Sequence, residues 1–407
     1  MLKGIWLVFA LPTLFAASTA PSDAQPKYSP GASDSEIRIG NTMPYSGPAS
    51  AYASIGTAEA AYFRMINDQG GINGRKITFV SYDDAYSPPK TMEQTRRLVE
   101  NDEVLLVFSA LGTPTNTAVQ KYLNQKKVPQ LFVGSGASKW GDPSHFPWTM
   151  GLAPTYWSEG RVFARYILEN FPNGKIAVLW QNDDAGREQL QSVKSGLGAW
   201  AGMIIASESY EVTEPTVDTH VVSLRASGAD IMISMSSPKA AAQAIKKVAE
   251  LGWKPTYFQS SSSASISAVL RPAGLGNAKG LISTAFMKGS SDPTWKNDPE
   301  MLRWRAFMDR FYPEGDRESG NNVAGYVAAQ VLVQVLRQCG EDLTRENVMR
   351  QATNLRDFRA EMLIPGITIS TSPSDYFPIK RLELIKFDGE RYQPVGRLVD
   401  VSAERRE

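Results

Sequence analysis

The sequence predicts an α/β fold made of two similar units, each built on a mostly parallel sheet. Short β-branched runs alternate with amphipathic helical patterns from Glu36 onward, which is typical of parallel sheets covered by helices. The same alternation starts again near Tyr156, after a first complete unit. The chain has 407 residues, which is enough for two or three domains.

In the first unit, helices are predicted where apolar residues recur every three to four positions. The pair Gly70-Gly71 ends the first helix, and prolines at the start of a segment favour the second, which begins at Pro88. The predicted strands are 36–44, 76–84, 104–110 and 128–134, and the predicted helices are 56–69, 88–101 and 114–125.

The second unit repeats this alternation and is followed by two longer helical patterns and a hairpin. The hairpin is predicted over 380–399, because Asp388-Gly389 is a typical two-residue turn. The predicted helices are 156–171, 186–201, 217–227, 238–251, 299–312 and 322–339, and the predicted strands are 175–183, 203–211, 230–236, 255–260 and 280–286.

The N-terminus has the layout of a secretory signal peptide. Lys3 supplies a positive start, Ile5 to Ala17 is apolar, and small residues follow up to Ala24. The apolar stretch is shorter than the roughly 20 residues that a membrane-spanning helix needs. We therefore expect a signal peptide over 1–24, a Pro/Ser/Gly-rich linker over 25–35, and export to the periplasm of a protein that is not embedded in the membrane.

Composition excludes several classes of function. The 43 basic and 42 acidic residues leave no basic excess of the kind that a nucleic-acid surface needs. His145 and His220 stand alone, and Cys339 is the only cysteine, so no metal-ligand spacing is present. Neither histidine lies beside a G-x-S-x-G turn. The sequence predicts no catalytic residues, metal or cofactor, and it disfavours an exported hydrolase.

Four blocks resemble the type I periplasmic solute-binding proteins of ABC importers, in the leucine/isoleucine/valine-binding family and its aromatic-acid-binding members. The blocks are IGNTMPYSGPASAYASIG, INDQGGINGRKITFVSYDDAYSPPKT, KVPQLFVGSGAS and IAVLWQNDDAG. The resemblance runs from about Glu36 to Val399 and implies two Rossmann-like lobes joined by three crossing segments. The expected crossings are 149–153, 283–287 and 359–365, with lobe 1 formed by 36–150 plus 288–358 and lobe 2 by 154–283 plus 366–407.

The resemblance also implies a ligand site between the lobes. In this family, lobe 1 holds the carboxylate of the ligand with backbone N–H groups and hydroxyls where strands turn into helices. Such helix starts favour anions, because their N–H groups are unpaired and the helix dipole is positive there. The expected contacts in lobe 1 are Gly112, Thr113, Gly136, Ala137 and Ser138, with Tyr45 and Tyr52 as aromatic walls.

Lobe 2 departs from the amino-acid-binding pattern of the family. Relatives place an acidic residue after the strand that matches 255–260, where it pairs with the α-ammonium, but this chain has Ser260 to Ser263 there. Two aromatic positions of the relatives align with Ala185 and with Ser236 or Ser237. The expected contacts in lobe 2 are Tyr156, Asp184, Ala185, Ser236, Ser261 and Ser262.

From this departure we predict a ligand that carries a carboxylate and no α-amine, such as a lignin-derived aromatic acid. Asp183 or Asp184 could take over the ammonium role, so a branched-chain or other hydrophobic amino acid stays open, as does an amide or urea. The expected partners are this small ligand and the permease subunits of an importer, or alternatively a membrane receptor. The protein itself is expected to be a monomer.

Overall fold

The structure, a computed structural model, describes Met1, Gly4 and residues 27–402. Its strands are β1 (Lys27–Tyr28), β2 (Glu36–Met43), β3 (Lys76–Asp83), β4 (Leu106–Phe108), β5 (Gln130–Val133), β6 (Thr149–Gly151), β7 (Ile176–Gln181), β8 (Ile204–Tyr210), β9 (Ile231–Met235), β10 (Thr256–Gln259), β11 (Ile282–Ala285), β12 (Asp342–Leu343), β13 (Arg381–Phe387), β14 (Tyr392–Pro394) and β15 (Val399–Asp400).

The α-helices are α1 (Ala53–Asp68), α2 (Pro88–Glu100), α3 (Thr113–Gln125), α4 (Tyr156–Asn170), α5 (Asp184–Leu197), α6 (Asp218–Ala226), α7 (Pro238–Glu250), α8 (Arg271–Ala273), α9 (Pro299–Phe311), α10 (Gly320–Cys339) and α11 (Arg345–Ala352). The predicted strands and helices match these within a few residues at each end. The short elements β1, β6, β12, α8 and α11 were not predicted, because each offers too few residues for an apolar pattern.

The two sheets have the same strand order. In lobe 1 the order is β3-β2-β4-β5-β6, with every neighbouring pair parallel. In lobe 2 the parallel strands run β8-β7-β9-β10-β11, and β13 then adds an antiparallel edge that also pairs with β14 and β15. The predicted α/β class with two parallel sheets is confirmed.

This strand order determines where a ligand can bind. In each lobe the chain moves to the opposite side of the first strand after making the second, so a crevice opens beyond the carboxyl ends of two strands. The crevice of lobe 1 lies after β2 and β4, and that of lobe 2 lies after β7 and β9. The two crevices face each other across the cleft between the lobes.

Three segments join the lobes, and the third lies later in the chain than predicted. The apolar side chains of Ile367, Ile369, Tyr376 and Ile379 pack in the core of lobe 1, and β-bridges link Phe358 to Ile369 and Ile369 to Ile379. Residues 366–379 therefore belong to lobe 1, where this folded-back segment buries its apolar face, and the chain crosses into lobe 2 just before β13. The earlier segments cross near the predicted 149–153 and 283–287.

Part of the predicted linker also belongs to lobe 1. Lys27 and Tyr28 pair with Asp342 and Leu343, and the buried Arg75 guanidinium donates a hydrogen bond to the Tyr28 hydroxyl. Of the predicted signal peptide, all but Met1 and Gly4 lies outside the described residues. Over the part of the chain that the structure describes, no helix has both the length and the apolar character needed to cross a membrane.

Candidate ligand-binding site

A cavity of about 420 Å³ lies between the lobes, where the two crevices meet. Its volume falls within the range of roughly 300–1,000 Å³ that is usual for pockets that hold small molecules. Nine of the sequence-predicted site residues line it, and both lobes contribute. They are Tyr52, Gly112, Thr113, Gly136, Tyr156, Ala185, Ser236, Ser261 and Ser262.

The lobe 1 wall is a cluster of hydrogen-bond donors at the start of α3 and after β5. Gly112 precedes α3 with a φ of 99°, a conformation that favours glycine, and the Tyr86 ring packs directly over it. A Cβ atom at Gly112 would lie 2.5 Å from the Tyr86 ring and 2.7 Å from Thr115 Oγ1. The Thr113 and Ser135 hydroxyls lie 2.7 Å apart and are both buried.

The hydroxyl of Tyr156, at the start of α4, lies against this donor cluster. It is within hydrogen-bonding reach of the Ser135 and Thr113 hydroxyls and of the Gly136 N–H. Burial raises the pKa of Tyr156, and these three donors oppose that shift. Tyr156 of lobe 2 thus packs against the donor cluster of lobe 1, and an added Cβ at Gly136 would lie 2.8 Å from its ring.

In lobe 2 a half-buried carboxylate, Asp183, caps the start of α5. Its Oδ1 accepts from the Gly186 N–H at 3.0 Å, and its Oδ2 lies 2.5 Å from Gln181 Nε2 and 3.5 Å from the Tyr86 hydroxyl of lobe 1. Burial raises the pKa of Asp183, although the hydrogen bonds from Gly186 and Gln181 oppose the shift. The carboxyl of Asp183 thus connects the two lobes at one side of the cavity.

A second carboxylate, Glu159, lies where the sequence predicted none. Glu159 is only 5% exposed and comes from the first turn of α4. Its Oε1 accepts from the Ser261 N–H at 2.8 Å and from Thr284 Oγ1 at 2.7 Å, and its Oε2 accepts from Ser260 Oγ at 2.7 Å. The prediction that lobe 2 lacks a carboxylate beside the serine run is therefore wrong, because another element supplies it.

The charges in the cavity wall are mainly negative. Three charged residues that face the cavity are already in ion pairs. Asp292 pairs with Arg391, and Glu318 pairs with Arg271. Lys288 pairs with both Asp298 and Glu300. Among the described residues, no ion pair is found for Glu159 or for the half-buried Glu383. Burial raises the pKa of Glu383. The wall therefore favours a ligand that brings a positive charge or N–H donors.

The cavity also has an apolar part. It runs between helix α10 and two of the segments that join the lobes, and we call this part the annex. Its walls are Phe286, Met287, Val323, Ala324, Val327 and Ile364. These residues come from chain positions far apart, and their apolar spacing in the sequence is also typical of ordinary core residues.

Four predicted contacts do not line the cavity. The hydroxyl of Tyr45 lies 2.7 Å from Ser81 Oγ in a loop that is partly open to solvent. Ala137 packs against Val133 and Trp140 inside lobe 1. The Ser138 N–H donates to Glu188 Oε1 of lobe 2 at 2.7 Å. Ser138 and Asp184 therefore take part in contacts between the lobes.

Asp184 links the lobes through Lys139. Its Oδ2 lies 3.0 Å from Lys139 Nζ, and the two side chains are 37% and 33% exposed. Exposed ion pairs contribute roughly 0.2–1 kcal/mol. We expect Asp184→Asn to weaken ligand binding by no more than about fivefold, because it destabilises only the closed arrangement, and we expect high salt to reduce the difference.

Isothermal titration at low and high salt checks this prediction. Asp309→Asn is the control, because Asp309 pairs with Arg317 inside lobe 1. A far larger loss that salt does not alter would instead indicate direct contact between Asp184 and the ligand.

The sequence was compared with models of known families. Residues 36–389 match the model described as periplasmic binding protein. The chain belongs to this family. Members bind small ligands in the periplasm and work with ABC permeases, so this periplasmic binding protein is the ligand-capturing component of an ABC-type transport system. The prediction of a binding protein rather than an enzyme is confirmed by its relatives.

A curated relative, Leu/Ile/Val-binding protein homolog 1 of Brucella suis biovar 1 (strain 1330), is 21% identical over 325 residues, covering 78% of this chain and 82% of the relative. A solved branched-chain amino acid ABC transporter protein of Thermus thermophilus with bound valine has a TM-score of 0.83 at 17% identity, covering 91% and 98% of the two chains. A fatty acid ABC transporter substrate-binding protein of Thermomonospora curvata has a TM-score of 0.77 at 19% identity, covering 94% and 97%.

Several residues of this periplasmic binding protein site had no signal in the sequence. A first-turn acid such as Glu159 is ordinarily explained by the positive end of the helix dipole. Gln181 is the last residue of strand β7 and Tyr86 lies in the loop after strand β3, and nothing in the sequence distinguishes them from other residues of such segments. They become site residues only because the strand order brings the ends of β3, β7 and β11 to one cleft.

Proposed function

We propose that this periplasmic binding protein captures a hydrophobic amino acid in the cavity between its lobes. The observation that carries the proposal is the Glu159 carboxylate, which is buried in the cavity wall and has no cationic partner among the described residues. A buried charge without an opposite charge is costly, and a ligand ammonium would supply it.

The opposite wall suits the carboxylate of the same ligand. The lobe 1 residues Gly112, Thr113, Ser135 and Gly136 line the cavity with hydroxyls and with the start of α3, which favours an anion. A zwitterionic head group would therefore contact lobe 1 through its carboxylate and lobe 2 through its ammonium. Such a ligand stabilises the closed arrangement, because it binds both lobes at once.

The names of the relatives are consistent with an amino acid ligand. The curated relatives are named for leucine, isoleucine and valine, and the Thermus thermophilus protein was solved with valine. Those likenesses support an amino acid as the first ligand class to test.

An acid without an amine is the second candidate. The three donors around Glu159 already satisfy much of that carboxylate, and the rings of Tyr52 and Tyr86 line the cavity. The Thermomonospora curvata protein is named for fatty acids, which also lack an amine. The carboxylate of an aromatic or other amine-free acid would then contact lobe 1, and the ligand would make no charged contact with lobe 2.

Matched ligand pairs separate the two candidates. We expect leucine and phenylalanine to raise the melting temperature, and 4-methylpentanoate and 3-phenylpropanoate to have much smaller effects. At a ligand concentration of 100 times Kd, binding adds about 2.7 kcal/mol to the free energy of unfolding. Stabilisation by the amine-free acids alone would reject the amino acid in favour of the second candidate. Acetamide and urea complete the panel, because an amide ligand would stabilise the protein without either charge.

A further inference from the structure

The cavity is larger than a short side chain requires. A cavity of about 150 Å³ is enough to bind benzene, whereas the whole cavity here is about 420 Å³. Besides the polar residues around Glu159 and Tyr156, it is lined by the apolar side chains of Val323, Ala324 and Val327 on helix α10.

The segment that joins the lobes after β11 leads from the head-group region into the annex. Thr284 donates to Glu159 at one end of this segment, and Phe286 and Met287 line the annex further along it. An extended chain rises about 3.3 Å per residue, so Met287 lies roughly 10 Å beyond Thr284. A carbon–carbon bond of about 1.52 Å advances an extended, zigzag alkyl chain by about 1.25 Å, so about eight bonds cover that length.

The floor of the annex presents side chains and not unpaired backbone groups. The Phe286 carbonyl accepts from the Ile364 N–H at 3.0 Å, and the Lys288 N–H donates to the Met362 carbonyl at 2.8 Å. These antiparallel hydrogen bonds satisfy the backbone of both crossing segments. Phe286 and Ile364 can therefore offer apolar surface to a ligand without leaving a buried polar group unpaired.

The loop that follows Lys288 also borders the cavity. Asp292 and Thr294 of this loop line the cavity, and both accept hydrogen bonds from Arg391 of lobe 2, at 3.0 and 2.5 Å. The Lys288 ammonium is held at the base of the loop by Asp298 and Glu300, at 2.9 and 2.8 Å. The hydrogen bonds from Arg391 thus tie this loop to lobe 2 beside the cavity.

We propose that the annex selects ligands whose apolar chain is longer than that of the branched-chain amino acids, with about six to eight carbons beyond the head group. This proposal rests on the proposed function for the identity of the head group, whereas the selection of chain length does not depend on it. Chain length is selected by Phe286, Met287, Ala324 and Ile364, because each methylene that enters the annex leaves water.

Two ligand series of rising chain length test the proposal by isothermal titration with the full chain. The first is norvaline, norleucine, 2-aminoheptanoate and 2-aminooctanoate, and the second is the unbranched acids of equal length without the amine. We expect Kd to fall about fourfold for each added methylene in the amino acid series. Constant or rising Kd values in both series would overturn the annex proposal.

The two series also keep the proposals distinguishable. A fall in Kd with length in the amine-free series alone would support the annex and overturn the amino acid head group. Binding of leucine that weakens with every longer homologue would leave the head group intact and overturn the annex.

Ala324→Phe tests the location of the chain. Ala324 is half-buried and faces the annex, so a ring there would fill it. We expect leucine to bind within about threefold of the unsubstituted protein and 2-aminooctanoate to bind more than tenfold more weakly. Ala242→Phe, at a half-buried alanine of α7 outside this cavity, is the control. Circular dichroism and melting curves confirm that both variants fold, and equal losses for both ligands would overturn the assignment.

Discussion

Glu159→Gln should lower the affinity for a hydrophobic amino acid by at least about thirtyfold. The substitution keeps the shape of the side chain but removes the buried charge that is proposed to pair with the ammonium. Truncating one partner of a buried, hydrogen-bonded charge pair costs roughly 2–5 kcal/mol. Isothermal titration with leucine and with the longer amino acids measures the loss.

The same substitution should change the preference of the site. An amine-free acid of the same shape gains nothing from Glu159, so its affinity should stay the same or improve as the negative charge disappears. Glu383→Gln is the matched control, because Glu383 also lines the cavity and is less buried. We expect a smaller loss there. Unchanged amino acid binding in a folded Glu159→Gln protein would rule out the ammonium contact.

Gly160→Ala should destabilise the protein, because α4 and α5 touch at this glycine. An added Cβ would overlap Ser192 Oγ and lie 2.8 Å from Ser192 Cβ and 2.9 Å from the Val193 N. The higher helix propensity of alanine is worth at most about 1 kcal/mol. Overpacking of this kind typically costs about 1–3 kcal/mol, and contact with backbone atoms favours the upper end. We expect the melting temperature to fall by several degrees.

Two further variants make this prediction specific. A Cβ at Gly320, in the first turn of α10, would meet nothing within 4 Å, so Gly320→Ala should leave stability unchanged or slightly higher. Ser192→Gly in the Gly160→Ala background removes the side chain in the way and should recover part of the loss. A Gly160→Ala protein that melts at the same temperature as the parent would mean that the helices separate easily. Because Glu159 is the neighbouring residue, ligand affinity should fall together with stability.

Local chemistry explains which site residues were predictable. Gly112 and Thr113 were predicted from the resemblance, and the unpaired N–H groups at the start of a helix supply the physical reason, which depends on a few neighbouring residues. Ala185 and Ser236 were identified from the resemblance, because they occupy positions just after strands. The same reasoning failed for Ser138, where a similar turn is used for contact with Glu188 of the opposite lobe.

The boundaries between lobes were harder to predict for a different reason. Residues 366–379 contain apolar residues at a spacing that suits either lobe. Their place in lobe 1 depends on bridges to Phe358 and Ile379 and on the core that they cover. Such pairings depend on the folded chain and leave no separate mark on the sequence.

The sequence alone predicted the fold class and the alternation of strands and helices, contained no catalytic motif, and indicated Gly112, Thr113 and Gly136 as candidate contacts, which the structure places on the cavity wall. Each of these depends on residue types within one short segment. Only the tertiary structure decided the charge of the ligand site, because the hydrogen bond from Ser261 to Glu159 spans 102 positions of the chain. The size of the annex was likewise decided by packing, since helix α10 and the segments that join the lobes meet there only after folding.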